Sequence, residues 1–177
     1  MKKMISIVLV GVLMLGLCAC GNEPTLVGTK ENAANTTTAA PSADDQVFKV
    51  GDIVKLGDVE VTFIGVTESE GSEFFKPADG KIFVLCEFEI ANNSDEDVTV
   101  SSIMSFCAYC DDYECDLSIS AMAEKDDKEQ LDGTVAPGKK MKGVVGYEIP
   151  VEWKNLEIHY QPDVISDDKI VFIAENN

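Results

Sequence analysis

The stretch KIFVLCEFEI, residues 81 to 90, carries the strongest structural signal in this chain of 177 residues. Apolar side chains recur there at every second position, so five of them share one face of an extended chain: Ile82, Val84, Cys86, Phe88 and Ile90. Glu87 and Glu89 lie on the opposite face. A period of two is typical of a β-strand that turns one face toward a protein core.

The same period recurs in three other stretches, VEVTFIGV at 59 to 66, MKGVVGYEI at 141 to 149 and LEIHY at 156 to 160. Turn-forming residues separate them, such as Gly57-Asp58 and Pro137-Gly138. Short strands joined in this way predict an all-β fold, an antiparallel β-sandwich formed by one domain over residues 47 to 177. Residues 118 to 130 hold too few periodic apolar positions to predict a helix.

Four segments of this domain, in this order, resemble a family of bacterial exported proteins that share domain of unknown function 4352. They are FKVGDIVKLGDVEVTFIGV (48 to 66), GKIFVLCEFEIANNSDEDVTV (80 to 100), TVAPGKKMKGVVGYEIP (134 to 150) and LEIHYQPDVISDDKIVFIA (156 to 174). The resemblance implies an immunoglobulin-like sandwich, similar to the immunoprotective extracellular antigen of mycobacteria. It implies no catalytic residues.

The N-terminus has the pattern of a lipoprotein signal peptide. A short basic start with Lys2 and Lys3 precedes an uncharged apolar run over residues 5 to 17, which is too short to span a bilayer as a helix. In the following LGLCACGN, small Ala19 precedes Cys20, whereas bulky Leu17 precedes Cys18. We therefore expect residues 1 to 19 to be removed and Cys20 to carry the lipid anchor, on the extracytoplasmic face of the cell membrane. The alternative is a secreted protein cut near Ala19.

Residues 20 to 46 are poor in large apolar side chains and rich in Thr, Ala, Asn and Ser. Such a segment cannot bury enough surface to offset the entropy of ordering, so we predict a disordered tether between the anchor and the sandwich.

The charge of the chain excludes one class of partner. Its net charge is −18 at pH 7, and lysine supplies every cation because the sequence contains no arginine. Nucleic-acid binding needs a basic surface, and arginine is the side chain best suited to phosphate and guanine, so no nucleic-acid partner is predicted.

Three cysteines crowd the stretch SFCAYCDDYECDLS, residues 105 to 118, which we predict to be a hairpin: Cys107, Cys110 and Cys115. Cys86 lies on a core-facing strand elsewhere. Outside the cytoplasm these four residues are expected to form disulfides or to be buried thiols, and Cys110 and Cys115 flank a turn that could bring them together. The sequence leaves the pairing open.

Two sharper alternatives use the same cysteines. Cys107 and Cys110 have the spacing of a zinc knuckle, with Cys115 or His159 available to complete the ligands, but a second closely spaced pair is missing. The same two cysteines could form a redox motif, but the neighbouring acidic residues would raise their pKa values. No metal or cofactor is therefore predicted.

We do not expect an enzyme. The chain has one histidine, His159, and lacks a Gly-x-Ser-x-Gly motif for it to activate. The predicted function is a non-enzymatic lipoprotein whose immunoglobulin-like domain contacts another exported protein or a cell-wall component. The alternative is a small envelope protein that handles redox equivalents or a metal through Cys107, Cys110 and Cys115.

Overall fold

The computed structural model describes residues 22 to 30, 46 to 162 and 167 to 176. The predicted signal peptide, Cys20 and residues 31 to 45 of the predicted tether lie outside these ranges. In the described part of the chain none of the helices is long and apolar enough to cross a membrane.

The described residues form twelve strands and one short helix. In chain order they are β1 Thr25–Thr29, β2 Val47–Lys49, β3 Asp52–Leu56, β4 Val59–Ser69, β5 Lys81–Asn92, β6 Val98–Val100, β7 Phe106–Cys110, β8 Tyr113–Cys115, α1 Ile119–Ala123, β9 Gly133–Val135, β10 Lys140–Pro150, β11 Asn155–Tyr160 and β12 Ile170–Glu175.

Two five-stranded sheets pack face to face. The first sheet has the strand order β1-β3-β4-β5-β10 and the second has the order β2-β12-β11-β7-β8, while β6 and β9 form a small separate pair. The strand pairs are antiparallel except for the parallel pair of β12 and β2. The structure therefore confirms the predicted all-β, immunoglobulin-like sandwich.

The inner face of β5 forms the centre of the core, as its sequence predicts. Ile82, Val84, Cys86, Phe88 and Ile90 are all buried. The ring of Phe88 lies 4.7 Å from that of Phe63 on β4 and 5.7 Å from that of Phe172 on β12, measured between centroids. These three aromatic rings therefore join the two sheets.

The outer face of β5 is also partly buried, since Phe83 and Leu85 are enclosed. The short helix α1 covers this face with Ala121 and Met122. The Ser118 hydroxyl caps the helix by accepting a bond from the Ala121 amide at 3.1 Å. A Cβ on Gly146 of β10 would lie 3.0 Å from the Ala121 Cβ, so a larger residue there would push the helix outward by a few tenths of an ångström.

The two glutamates of β5 lie on the same outer face, where lysines neutralise them. Glu87 pairs with Lys128 at 3.2 Å and with Lys142 at 2.6 Å. Partial burial raises the pKa of Glu87, but the hydrogen bonds from these lysines outweigh it and lower the pKa below its ordinary value. The lysines thus allow carboxylates to sit beside a half-buried sheet face.

The structure differs from the predicted disordered tether at residues 25 to 29, which form β1 and pair with β3. Leu26 and Val27 remain 49% exposed, so burial contributes little to this strand. Polar contacts hold it instead, including a bond from the Lys30 amide to the Gly51 carbonyl at 2.7 Å and an ion pair of Lys30 with Glu89 at 3.3 Å. Composition misses such a strand because an edge strand gains backbone bonds without needing a large apolar face.

We expect Phe88→Ala to lower the free energy of unfolding by about 3 to 5 kcal/mol, because it opens a cavity among rings from both sheets. Urea unfolding followed by far-UV circular dichroism measures the loss. The matched control is Phe74→Ala, which removes a ring that is 85% exposed and should change stability by no more than about 0.5 kcal/mol. Equal losses in the two variants would contradict this account of the core.

Candidate functional site

The predicted cysteine hairpin is present. Strands β7 and β8 pair through Cys110 with Tyr113 and Ala108 with Cys115. Asp111 and Asp112 form the turn with φ of 47° and 70°, the left-handed conformation that tight hairpins require. The Asp111 carboxylate also accepts a bond from the Asn155 amide at 2.9 Å, which ties the turn to the start of β11.

The hairpin separates the cysteines that the sequence brings close together. Cys107 is exposed on the outer face of the second sheet, whereas Cys110 is buried on the inner face. Residues three apart in a strand must point to opposite faces, so these two side chains cannot ligate one zinc ion or form one redox pair. The described residues contain no group of three or more Cys, His, Asp or Glu side chains that could hold a metal ion.

On the outer face, Cys107 lies opposite His159 in the register of β7 and β11. His159 points outward, and its Nε2 lies 2.5 Å from Oε1 of Glu157. The ring of Tyr109 packs 5.3 Å from the imidazole. His159 is therefore engaged on the sheet surface, away from Cys110 and Cys115.

Cys110 and Cys115 are brought together on the other side of the hairpin. The two residues lie at diagonal positions on one side of the paired strands and each affects the pKa of the other, and the Cys115 thiol donates to the Tyr113 carbonyl at 3.5 Å. All four described cysteines are free thiols. The structure thus replaces the three-cysteine cluster with one pair, Cys110 and Cys115.

This pair lines a groove of about 580 Å³ between the edges of the two sheets, here called the β8–β10 groove. Residues 113 to 118 form one wall and residues 148 to 150 form the other. The groove exists because β8 ends the second sheet and β10 ends the first.

The lining of the groove is acidic. Four acidic residues line it: Asp111, Glu114, Asp116 and Glu148. Lys81 is the cation among the lining residues, and its Nζ lies 3.9 Å from Glu148. Such a lining attracts cations and repels anions.

The thiols of the hairpin and core are not activated nucleophiles. Burial, followed by the neighbouring Cys110, raises the pKa of the Cys115 thiol to about 11. Burial, followed by the Asp111 carboxylate, raises the pKa of Cys110, and burial also raises that of Cys86. As predicted, an acidic neighbour raises the pKa of Cys110, but burial is the larger cause of the increase.

One buried polar group lies close to these cysteines without a partner. The Tyr147 hydroxyl of β10 is fully enclosed and makes no hydrogen bond. Its pKa is raised by burial first and then by Cys86, Cys107 and Cys115, so the hydroxyl lies within electrostatic reach of the thiols. A buried hydroxyl without a partner is rare in proteins.

A second surface, which the sequence patterns above do not predict, is the Phe74–Ile119 surface, formed by the connection between β4 and β5 together with α1. Phe74 is 85% exposed and Ile119 is 80% exposed. The aromatic pair in GSEFFKP, residues 71 to 77, was the available signal, since it lies in a polar stretch bounded by glycine and proline.

Hydrogen bonds fix this connection against the helix. The Ser72 hydroxyl donates to Oε1 of Glu124, at the C-terminal end of α1, at 2.7 Å. The Ser72 amide donates to the Phe75 carbonyl at 2.7 Å, closing a tight turn. A Cβ on Gly71, which has φ of 81°, would lie 2.1 Å from that carbonyl, so the turn requires glycine. The Ser72–Glu124 bond thus joins the connection that carries Phe74 to the helix that begins at Ile119.

The fold and its grooved edge define an acidic, cysteine-containing β-sandwich. The chain belongs to the family Domain of unknown function (DUF4352), whose family model matches residues 48 to 170. No curated protein matches the chain.

Solved structures share the fold. The yjhA protein from Bacillus subtilis is 20% identical with a TM-score of 0.58, and the match covers 71% of this chain and 98% of that protein. The ycdA protein of Bacillus subtilis subsp. subtilis str. 168, described as a "putative lipoprotein", is 18% identical with a TM-score of 0.55. That match covers 66% of this chain and 36% of ycdA, so the chain spans about a third of that protein. At these identities the similarity shows the fold alone.

We predict that iodoacetamide at pH 8 labels Cys107 first, because its thiol is exposed, and leaves Cys86 unlabelled until the protein unfolds. A pKa of about 11 instead of 9.0 leaves Cys115 with about 100-fold less thiolate at pH 8 than an ordinary cysteine. Its labelling rate should therefore keep rising as the pH approaches 11. Peptide mass spectrometry gives each rate, and labelling of Cys115 faster than free cysteine at pH 8 would contradict the assignment.

Proposed function

We propose that this chain is an exported lipoprotein, anchored through Cys20, whose sandwich is a non-enzymatic module that binds another exported protein or a cell-wall component. The observation that carries the proposal is the Phe74–Ile119 surface. Large apolar side chains that are four-fifths exposed and held in a fixed geometry are typical of protein-binding surfaces.

The surroundings of this surface have the composition of a binding site for a protein. Glu70, Glu73 and Lys76 are exposed around the aromatic pair and supply a polar rim. Interfaces commonly place apolar anchors at the centre and charged residues at the edge. Because the turn is fixed by Ser72 and Gly71, little conformational entropy remains to be lost when a partner binds.

Two observations support the anchored location. The sequence has a lipobox-like end to its signal peptide at Cys20, and the structural neighbour ycdA is described as a "putative lipoprotein". Acyl chains on one cysteine hold a folded domain on a membrane without a transmembrane helix.

The position of β1 sets how far the sandwich would lie from the anchor. β1 begins at Thr25, five residues after Cys20, and is already paired with β3. Five residues span at most about 18 Å. The proposed arrangement therefore holds the domain close to the membrane, where a membrane-bound partner is within reach.

The proposal that the module is non-enzymatic is supported by the pKa values of its cysteines and by the position of His159. The pKa of Cys115 is raised to about 11 and that of Cys110 is also raised, the opposite of the shift that activates a cysteine. His159 contacts Glu157 on the outer face and does not approach this pair.

The anchor is tested with Cys20→Ala, which we expect to move the protein from the membrane fraction to the medium or to block processing, and to abolish palmitate labelling. Cys18→Ala is the matched control, because it removes the neighbouring cysteine and leaves Ala19-Cys20 intact. Palmitate labelling or normal processing of Cys20→Ala, or loss of palmitate labelling in Cys18→Ala, would contradict the assignment.

The partner surface is tested with a photo-crosslinking amino acid placed at position 74, 119 or 103 in living cells. We expect the same crosslinked product from positions 74 and 119, and its loss when the other position of the pair carries serine. Ile103, which is 72% exposed between β6 and β7, is the control and should give no such product. Equal crosslinking from all three positions would show that exposure alone produces the signal.

A further inference from the structure

The thiol pair of the β8–β10 groove is not used by the proposed partner surface. Cys110 and Cys115 belong to diagonal positions of one hairpin, on the same side of β7 and β8. Diagonal positions are commonly about 7 to 8 Å apart between Cα atoms, a separation that strains a direct disulfide. A metal ion between two sulfur atoms bridges a longer distance than an S–S bond does.

The charges of the groove favour a cation at this position. Asp111, Glu114, Asp116 and Glu148 line the groove with Lys81 as the opposing charge, and of these Asp111 acts on the pKa of Cys110 and Asp116 on that of Cys115. Carboxylates alone would suit a hard cation such as Mg²⁺ or Ca²⁺, but those ions need at least six oxygen ligands. Two neighbouring thiols instead select a soft ion that accepts few ligands.

The unpartnered Tyr147 hydroxyl is an independent observation in the same region. It is completely buried, makes no hydrogen bond, and lies within electrostatic reach of Cys115 and Cys86. Tyr147 does not itself line the groove, but its backbone is bridged to Leu117, which does, so this buried polar atom without a partner lies next to the lining residues.

We propose that Cys110 and Cys115 form a two-coordinate binding site for one thiophilic monovalent cation, of which Cu(I) is the representative. Binding breaks two S–H bonds, forms two Cu–S bonds and releases two protons, and the copper remains in its +1 state throughout. The acidic groove raises the local concentration of the cation, and the free energy of metal binding displaces the two thiol protons, which are released to solvent.

The site uses two ligands rather than three or four, which is consistent with the absence of a larger ligand group among the described residues. Cys107 has no part in it, because it lies on the opposite face of β7. Cys86 is enclosed in the core and is not among the residues that line the groove. These two cysteines therefore provide internal controls.

The experiment uses the full chain carrying Cys18→Ala and Cys20→Ala, so that only the four described cysteines remain. The protein is reduced, freed of reductant under argon and titrated with Cu(I) against a Cu(I) chelator. We expect one Cu(I) per chain, a thiolate-to-copper absorption band, and two sulfur neighbours in the X-ray absorption spectrum. Cys115→Ser, at the half-buried member of the pair, should lower the affinity at least 100-fold.

Cys110→Ser should have the same effect, whereas Cys107→Ser and Cys86→Ser should retain one Cu(I). Urea unfolding of the metal-free variants checks that Cys115→Ser is folded. Retention of Cu(I) by folded Cys115→Ser, its loss in Cys107→Ser, or equal affinity for Mg²⁺ would overturn the proposal. So would a reduced protein whose two thiols close to a disulfide on air exposure but bind no Cu(I).

Discussion

The central strand β5 determines the rest of the structure because it is buried on both faces. It pairs along its length with β4 on one side and β10 on the other, so its backbone bonds are satisfied within the first sheet. Its apolar side chains must be shielded from water on both faces. The inner face requires a second sheet, which the Phe63, Phe88 and Phe172 contacts supply, and the outer face requires a cover of a different kind.

The need for that outer cover explains where the groove lies. The chain leaves the second sheet at β8 and must cross to the outer face of the first sheet before it forms α1. It touches β10 at two places, through the bridges of Leu117 with Tyr147 and of Gln130 with Val144. Gly146 of β10 lets α1 approach, and Gly143 lets residues 129 to 131, after the helix, approach, since a Cβ on either glycine would lie about 3 Å from these residues. The hairpin cysteines are thereby placed at an open edge rather than inside the core.

The sequence predicts the core strands, but it does not predict the two elements added to the first sheet, α1 and β1. Alternation marks β5, β10 and β11 because each presents one strongly apolar face to the core, and the buried residues agree with it. The five residues of α1, ISAMA, are too few to show a helical period, and β1 is held by backbone bonds that composition does not reveal. The period of two places the side chains of Cys107 and Cys110 on opposite faces of β7. Their zinc-knuckle spacing, considered alone, suggested instead that they act together.

The two proposed binding surfaces, the Phe74–Ile119 surface and the β8–β10 groove, meet at the start of α1. Ser118 lines the β8–β10 groove, and Ile119, the next residue, belongs to the exposed apolar surface. A partner that covers Ile119 would therefore border the groove, and a cation held by Cys110 and Cys115 would lie on the hairpin that leads into the same helix. Coupling between two sites is reciprocal, and it requires an element whose contacts differ between bound and free states. The Ser118 cap is the element that both sites share, because its amide is bonded to Gly146 at 2.8 Å while its hydroxyl holds the first turn of α1.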